Sequence, residues 1–121
     1  MTNILIIDDE AAIRDLLKRR LENQGYDVIE LEDGRDAVNV CETQCPDLVV
    51  TDIYMKRCEG LETIKELRTT FPALNIIAIS GGGISHKENF LEVASHMGAT
   101  ATFSKPIDWP RFLTKIGELA P

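Results

Sequence analysis

The acidic run Asp8-Asp9-Glu10, an isolated Asp52, Ser80 ahead of Gly81, Gly82 and Gly83, and Lys105 ahead of Pro106 are the residues of this sequence whose types can do chemistry together. Asp52 is the least ordinary of them. It follows Leu48, Val49 and Val50 in the stretch DLVVTDIYMK, residues 47–56, so a carboxylate stands at the end of a run suited to a dry interior. Burying a charge without a partner is costly. The next helical pattern begins only at about Gly60, too far along for Asp52 to cap it. Each of the other residues has an ordinary use on its own: Asp8 or Asp9 as a helix cap, Ser80 and the glycines as a loop, Lys105 as a solvated cation. Together they nearly balance. Asp8, Asp9 and Asp52 crowd three negative charges that raise one another's pKa, and Lys105 returns one positive charge. The remainder matches one divalent cation. Carboxylate oxygens are hard ligands that select magnesium or calcium over zinc. A site with few protein ligands and open positions suits Mg²⁺, which keeps waters and accepts phosphate oxygens. A carboxylate held between a metal and a lysine can attack a phosphoryl group to give an aspartyl phosphate. Mg²⁺, Lys105 and the Ser80 hydroxyl would stabilise charge on the group in transfer, helped by backbone N–H groups of the glycine loop.

Such residues meet only if the fold carries them to one edge. Five short apolar runs, at 3–7, 26–31, 47–50, 75–79 and 101–104, read as strands, and their Ile and Val content suits strands buried on both faces. Helical periods lie between and after them. The first, 11–24, has Ile13, Leu16, Leu17 and Leu21 on one face and Gly25 as its stop. The second, 35–43, carries Ala37, Val38 and Cys41. The third, 61–70, carries Leu61, Ile64 and Leu67, with Pro72 behind it. The fourth, 85–97, carries Phe90, Leu91, Ala94 and Met97, and the fifth, 109–119, carries Phe112, Leu113 and Ile116. Strands alternating with helices make a parallel α/β sheet with helices on both faces, because each crossover is right-handed. Ligands of such sheets bind outside the carboxyl ends of the strands. All the reactive residues above fall there, whereas strand two ends in Glu32-Asp33-Gly34, an ordinary turn.

The chain of 121 residues suits one domain, and 44% hydrophobic content is enough for a core. No apolar run approaches the roughly 20 residues of a membrane span, and the N-terminus lacks the basic region of a signal peptide. The expectation is a cytoplasmic protein. The net charge of −7 argues against direct binding to nucleic acid or to an anionic membrane. Cys41, Cys45 and Cys58 lack zinc spacing and read as reduced thiols, and His86 and His96 read as solvated helix positions.

Four stretches, ILIIDDE, VVTDIYMKRCEGLE, IIAISG and GATATFSKP, in this order and spacing, resemble the receiver domain of bacterial two-component response regulators over nearly the whole chain. The resemblance implies an α/β five-stranded parallel sheet in flavodoxin-like order 2-1-3-4-5, with five helices on both faces. It implies that Asp52 is the phosphoacceptor and that Mg²⁺ is held by Asp9 directly, by Asp8 through water or as support, by Asp52, and by the backbone carbonyl of Tyr54. Ser80 and Lys105 would contact the phosphoryl group. The donor would be a phosphohistidine on a sensor histidine kinase or a phosphotransfer protein. The domain would be no enzyme beyond its own phosphorylation and dephosphorylation. Its output would leave by protein contact with an unknown downstream protein, through helix four, strand five and helix five, roughly 85–119. The Lys105–Pro106 bond would be cis. Because the fifth helix nearly ends the chain, a single monomeric receiver domain over 1–121 is expected.

Two departures from the family pattern stand out. The loop that usually reads M-P-x-M-D-G is here Met55-Lys56-Arg57-Cys58-Glu59-Gly60, and the usual aromatic switch residue, three before the lysine, is Thr102. Phe103 is next to it, but strand alternation points the two to opposite faces, so Phe103 cannot simply replace the switch. Three rival readings remain. A haloacid-dehalogenase-type phosphatase would carry a second Asp where Tyr54 stands. A flavodoxin-like flavin binder would have a hydroxyl-rich loop in place of Asp8-Asp9-Glu10. A degenerate receiver would serve as a phosphorylation-independent docking module, yet it would have no use for the intact set of reactive residues.

Overall fold

The computed structural model describes residues 2–53, 60–80 and 94–120. In order they form β1 (Asn3–Ile7), α1 (Ala11–Asn23), β2 (Asp27–Leu31), α2 (Ala37–Gln44), β3 (Leu48–Asp52), α3 (Gly60–Thr70), β4 (Asn75–Ser80), a helical segment α4 at 94–97, β5 (Ala101–Ser104) and α5 (Trp109–Leu119). The strands pair in parallel in the order β2-β1-β3-β4-β5, the order expected. The chain leaves β1 in one direction to make β2 and returns past it to make β3. The switch of direction opens a crevice at the carboxyl ends of β1 and β3.

Strand alternation divides the interior in two. Ile4 and Ile6 of β1, Leu48 and Val50 of β3, and Ile77 and Ile79 of β4 pack with Leu17 and Leu21 of α1 and Phe112 and Ile116 of α5. The intervening Leu5, Ile7, Val49, Ile76 and Ala78 pack on the other side with Ala37 and Cys41 of α2, Ile64 and Leu67 of α3, and Ala94 of α4. A strand buried on both faces needs apolar residues at every position, which is why the runs are unbroken. Fully burying one such side chain stabilises by roughly 1.5–3 kcal/mol. The edge strand β2 has exposed positions at Asp27 and Glu30.

Several boundaries differ from the expected ones. β3 runs on to Asp52, which keeps register opposite Ile79, and β4 runs through Ser80. β2 starts at Asp27, with Tyr26 outside it. α1 ends at Asn23, and Gly25 takes a φ of 93°, a left-handed conformation that glycine adopts without strain. α2 begins at Ala37, because Asp33 draws the Arg35 N–H and guanidinium into the preceding turn. It ends at Gln44, where Cys45 turns left-handed at φ 48°. α3 begins at Gly60. Neither Asp8 nor Asp9 caps α1: its N-cap is Glu10, with no side-chain hydrogen bond. Leu16, expected on the buried face of α1, is 39% exposed: it lines an open hollow between α1 and the segment Lys105–Pro106–Ile107 and Trp109 beyond β5. Of the expected fourth helix, 85–93 lies outside the described residues, whereas 94–97 is helical and His96 is exposed. No helix among the described residues is long and apolar enough to cross a membrane.

Candidate functional site

Three strand ends converge on one lysine. Asp8 follows β1, Asp52 closes β3 and Lys105 follows β5. By the two-residue repeat of a strand, Asp8 continues the Ile4–Ile6 face, Asp52 the Leu48–Val50 face and Lys105 the Phe103 face, all on the α1–α5 side. The Lys105 Nζ lies 3.1 Å from Asp52 Oδ2, 3.2 Å from Asp8 Oδ2 and 3.5 Å from Glu10 Oε1. Asp8 and Asp52 are only 1% and 4% exposed, so these contacts form where water screens them little. The Lys105 N–H donates to the Ser80 carbonyl at 2.8 Å, tying the β5 end to β4, and the Lys105–Pro106 peptide is cis, as expected.

The electrostatics follow from this crowding. Burial pushes the Asp8 carboxyl up. The Glu10 N–H, which donates to Asp8 Oδ1 at 2.9 Å, pulls it down, the like charge of Asp52 adds to the rise, and Lys105 opposes it. For Lys105, burial alone would favour the neutral amine, but the charges of Asp52 and Asp8 overcome it and hold the ammonium above its usual range. Carboxylate oxygens of Asp8, Asp9, Glu10 and Asp52 lie within 4.8 Å of one another. Four carboxylates around one ammonium leave a negative excess in a small volume. Such a set of hard oxygen donors suits Mg²⁺ or Ca²⁺, with bound waters completing the shell. The residues therefore fit the divalent cation expected there.

Ser80 is fully buried at the end of β4, and its Oγ has no hydrogen-bond partner among the described residues. Buried hydroxyls are as a rule hydrogen-bonded, which makes Ser80 a candidate donor to a group bound at the strand ends. By alternation Ser80 and Thr102 belong to the α2–α3 side, and Thr102 sits opposite Ala78 of that core. Phe103 faces the other core, edge-on to Phe112 at 5.3 Å between ring centroids, so the two residues do point apart. Tyr54, the expected carbonyl ligand, lies outside the described residues, as do the rest of 54–59 and the glycines 81–83.

Two site residues carried no strong signal in the sequence. Glu10 reaches both the acidic cluster and Lys105, although it read as the tail of an acidic run. Gly60 lies directly beneath β3: a Cβ there would collide with the Asp52 carbonyl and the Ile53 backbone. Its N–H donates to the Ile53 carbonyl at 3.3 Å.

Comparison with known proteins adds family to geometry. The family model of the response regulator receiver domain matches residues 4–117. The alkaline phosphatase synthesis transcriptional regulatory protein PhoP of Bacillus subtilis is 44% identical over 78 residues, covering 62% of this chain and 32% of its own length. The probable transcriptional regulator ycf27 of Guillardia theta is 33% identical over 101 residues, covering 84% of this chain and 40% of its own. The matched region thus spans well under half the length of these curated relatives. Among solved structures, the response regulator protein TrrA of Thermotoga maritima in complex with Mg²⁺–BeF superposes with a TM-score of 0.85 at 29% identity, covering 98% of this chain and 99% of its own. A CheY-like receiver domain protein of Methanospirillum hungatei gives 0.85 at 28% identity, covering 98% and 92%.

Proposed function

Since this chain belongs to the response regulator receiver domain family, we propose that it is a phosphoacceptor signalling domain whose Asp52 takes a phosphoryl group from a phosphohistidine on a sensor histidine kinase or phosphotransfer protein. The observation that carries this reading is the buried Asp52 carboxylate, 3.1 Å from Lys105 Nζ and within the four-carboxylate cluster at the strand ends. In the transfer, an Asp52 carboxylate oxygen attacks phosphorus. The P–N bond of the donor breaks, its electron pair stays on the imidazole nitrogen, which gains a proton from water, and a mixed anhydride forms on Asp52. Lys105 holds Asp52 in place beforehand and offers its N–H donors to the oxygens of the incoming group. The Ser80 hydroxyl would donate to that group as well, a role supported by its position at the end of β4 and its unpartnered Oγ among the described residues. Asp8, Asp9 and Asp52 would hold Mg²⁺, with the Tyr54 carbonyl as a further ligand. Bound there, the ion offsets charge on the anionic donor and on the carboxylates. That a related response regulator was solved with Mg²⁺–BeF supports the reading. Output then rests on changed protein contacts, with Thr102 in place of the usual aromatic switch.

The test is intact-mass spectrometry after incubation with acetyl phosphate. Wild type should gain one phosphoryl group with Mg²⁺ and none with a chelator, and Asp52→Asn should gain none. Equal labelling of Asp52→Asn would defeat the proposal, and a failure of wild type to label would favour the docking module instead.

A further inference from the structure

Arg14 lies in the first turns of α1, and no motif marks it. Its Nη1 donates to the Asp8 backbone carbonyl at 2.7 Å. Its Nε lies 3.8 Å from Glu30 Oε1 on β2, and Lys18 Nζ lies 3.6 Å from the other Glu30 oxygen. Only 15% of the Arg14 side chain is exposed. Every polar group of Asp8 is therefore engaged. Its N–H donates to the Leu31 carbonyl at 3.1 Å, its carboxylate accepts from Glu10 and Lys105, and its carbonyl accepts from Arg14.

The carbonyl bond matters most for Asp9. A peptide unit is planar, so the direction of the Asp8 carbonyl fixes the plane in which the Asp9 nitrogen lies and from which the Asp9 carboxylate departs. By charge alone, an arginine beside a divalent-cation site is unfavourable, and the Glu30 carboxylate only partly offsets it. What Arg14 supplies is direction. We infer that Arg14 is a positioning residue: by holding the Asp8 carbonyl, it orients the Asp8–Asp9 peptide so that the carboxylates face the divalent cation. This rests on the Mg²⁺ site of the proposed function.

Two explanations of Arg14 differ in sign. If it acts only as a nearby positive charge, its removal tightens cation binding. If it positions the loop, removal weakens binding. The experiment measures Mg²⁺ affinity by calorimetry and Mn²⁺ affinity by electron paramagnetic resonance, on wild type, Arg14→Met, Arg14→Lys and Lys18→Met. Arg14→Met keeps the apolar stem and the fold, checked by circular dichroism, and should weaken both affinities by about tenfold, the low end for loss of a residue that orients metal ligands. Arg14→Lys restores a donor and should recover most of the affinity. Lys18→Met removes the same charge from the same ion-pair network without touching the loop, and should change the affinity little. Binding by Arg14→Met as tight as wild type, or tighter, overturns the inference while leaving the proposed function intact. Absence of binding by wild type itself overturns the proposed function first and this inference with it.

Discussion

Lys105 Nζ bridges two buried carboxylates, 3.2 Å from Asp8 and 3.1 Å from Asp52, so its removal is felt by both. Lys105→Met should destabilise the metal-free protein by about 3 kcal/mol, between the cost of a lost charged hydrogen bond and that of a broken buried ion pair. The sign of the pH dependence follows from its raised pKa. The contribution is complete at neutral pH and fades only as pH rises through and above the usual lysine range. Mg²⁺ should rescue Lys105→Met by more than it stabilises wild type, because the ion then stands in for the ammonium lost from beside Asp8 and Asp52. Urea unfolding with and without Mg²⁺ measures both effects, and an equal Mg²⁺ gain in the two proteins would contradict them. A second expectation concerns Cys41, whose thiol burial pushes up to about 11, while Cys45 is exposed. In a Cys58→Ser background at mildly alkaline pH, a thiol reagent should modify Cys45 at once and Cys41 only on unfolding. Because the folded state keeps the Cys41 proton longer than the unfolded chain, stability should fall as pH rises from about 9 to about 11.

At the level of the elements, the placement of Asp52 depends on the start of α3. With Gly60 against the Asp52 carbonyl, Gly60→Ala forces a methyl into backbone that has no room to move aside. The expected cost is about 1–3 kcal/mol of stability, together with slower labelling of Asp52 by acetyl phosphate. Labelling at the wild-type rate would show that α3 does not seat the nucleophile. The strands were legible because burial on both faces leaves an unbroken apolar run, and the alternation with helices then dictates a parallel sheet. The meeting of Asp8, Asp52 and Lys105 followed from those strand ends. Less legible was how far a strand runs. Asp52 and Ser80 read as lying beyond their strands, but the β3–β4 register keeps Asp52 opposite Ile79, and pairing with Ser104 of β5 carries β4 to Ser80. Leu16 shared the apolar stripe of α1, yet stripe membership does not reveal which flank a later loop will cover. Arg14 was invisible for a different reason: its partner is a backbone carbonyl, which every residue possesses, and its second partner, Glu30, is on another strand.

For the molecule as a whole, a net charge of −7 and a carboxylate cluster at one end make cation binding a stability term. A ligand that binds only the folded state adds about 2.7 kcal/mol when present at a hundred times its dissociation constant. Mg²⁺ should therefore raise the melting temperature, a chelator should reverse the rise, and Asp9→Asn should reduce it. High salt should blunt the effect, since the screening length falls from about 10 Å at 0.1 M to about 3 Å at 1 M. A rise unchanged in Asp9→Asn would place the ion elsewhere. The sheet itself imposes one more condition. It is a party wall between two apolar cores, and by strand alternation Asp8, Asp52 and Lys105 continue one of its faces and Ser80 and Thr102 the other. Asp52 and Ser80 both stand where the wall stops, at the carboxyl ends of β3 and β4, so news of a change at Asp52 need not cross its apolar interior to reach Ser80. The way round the end is short, along the narrow sill where the Lys105 amide already grips the Ser80 carbonyl.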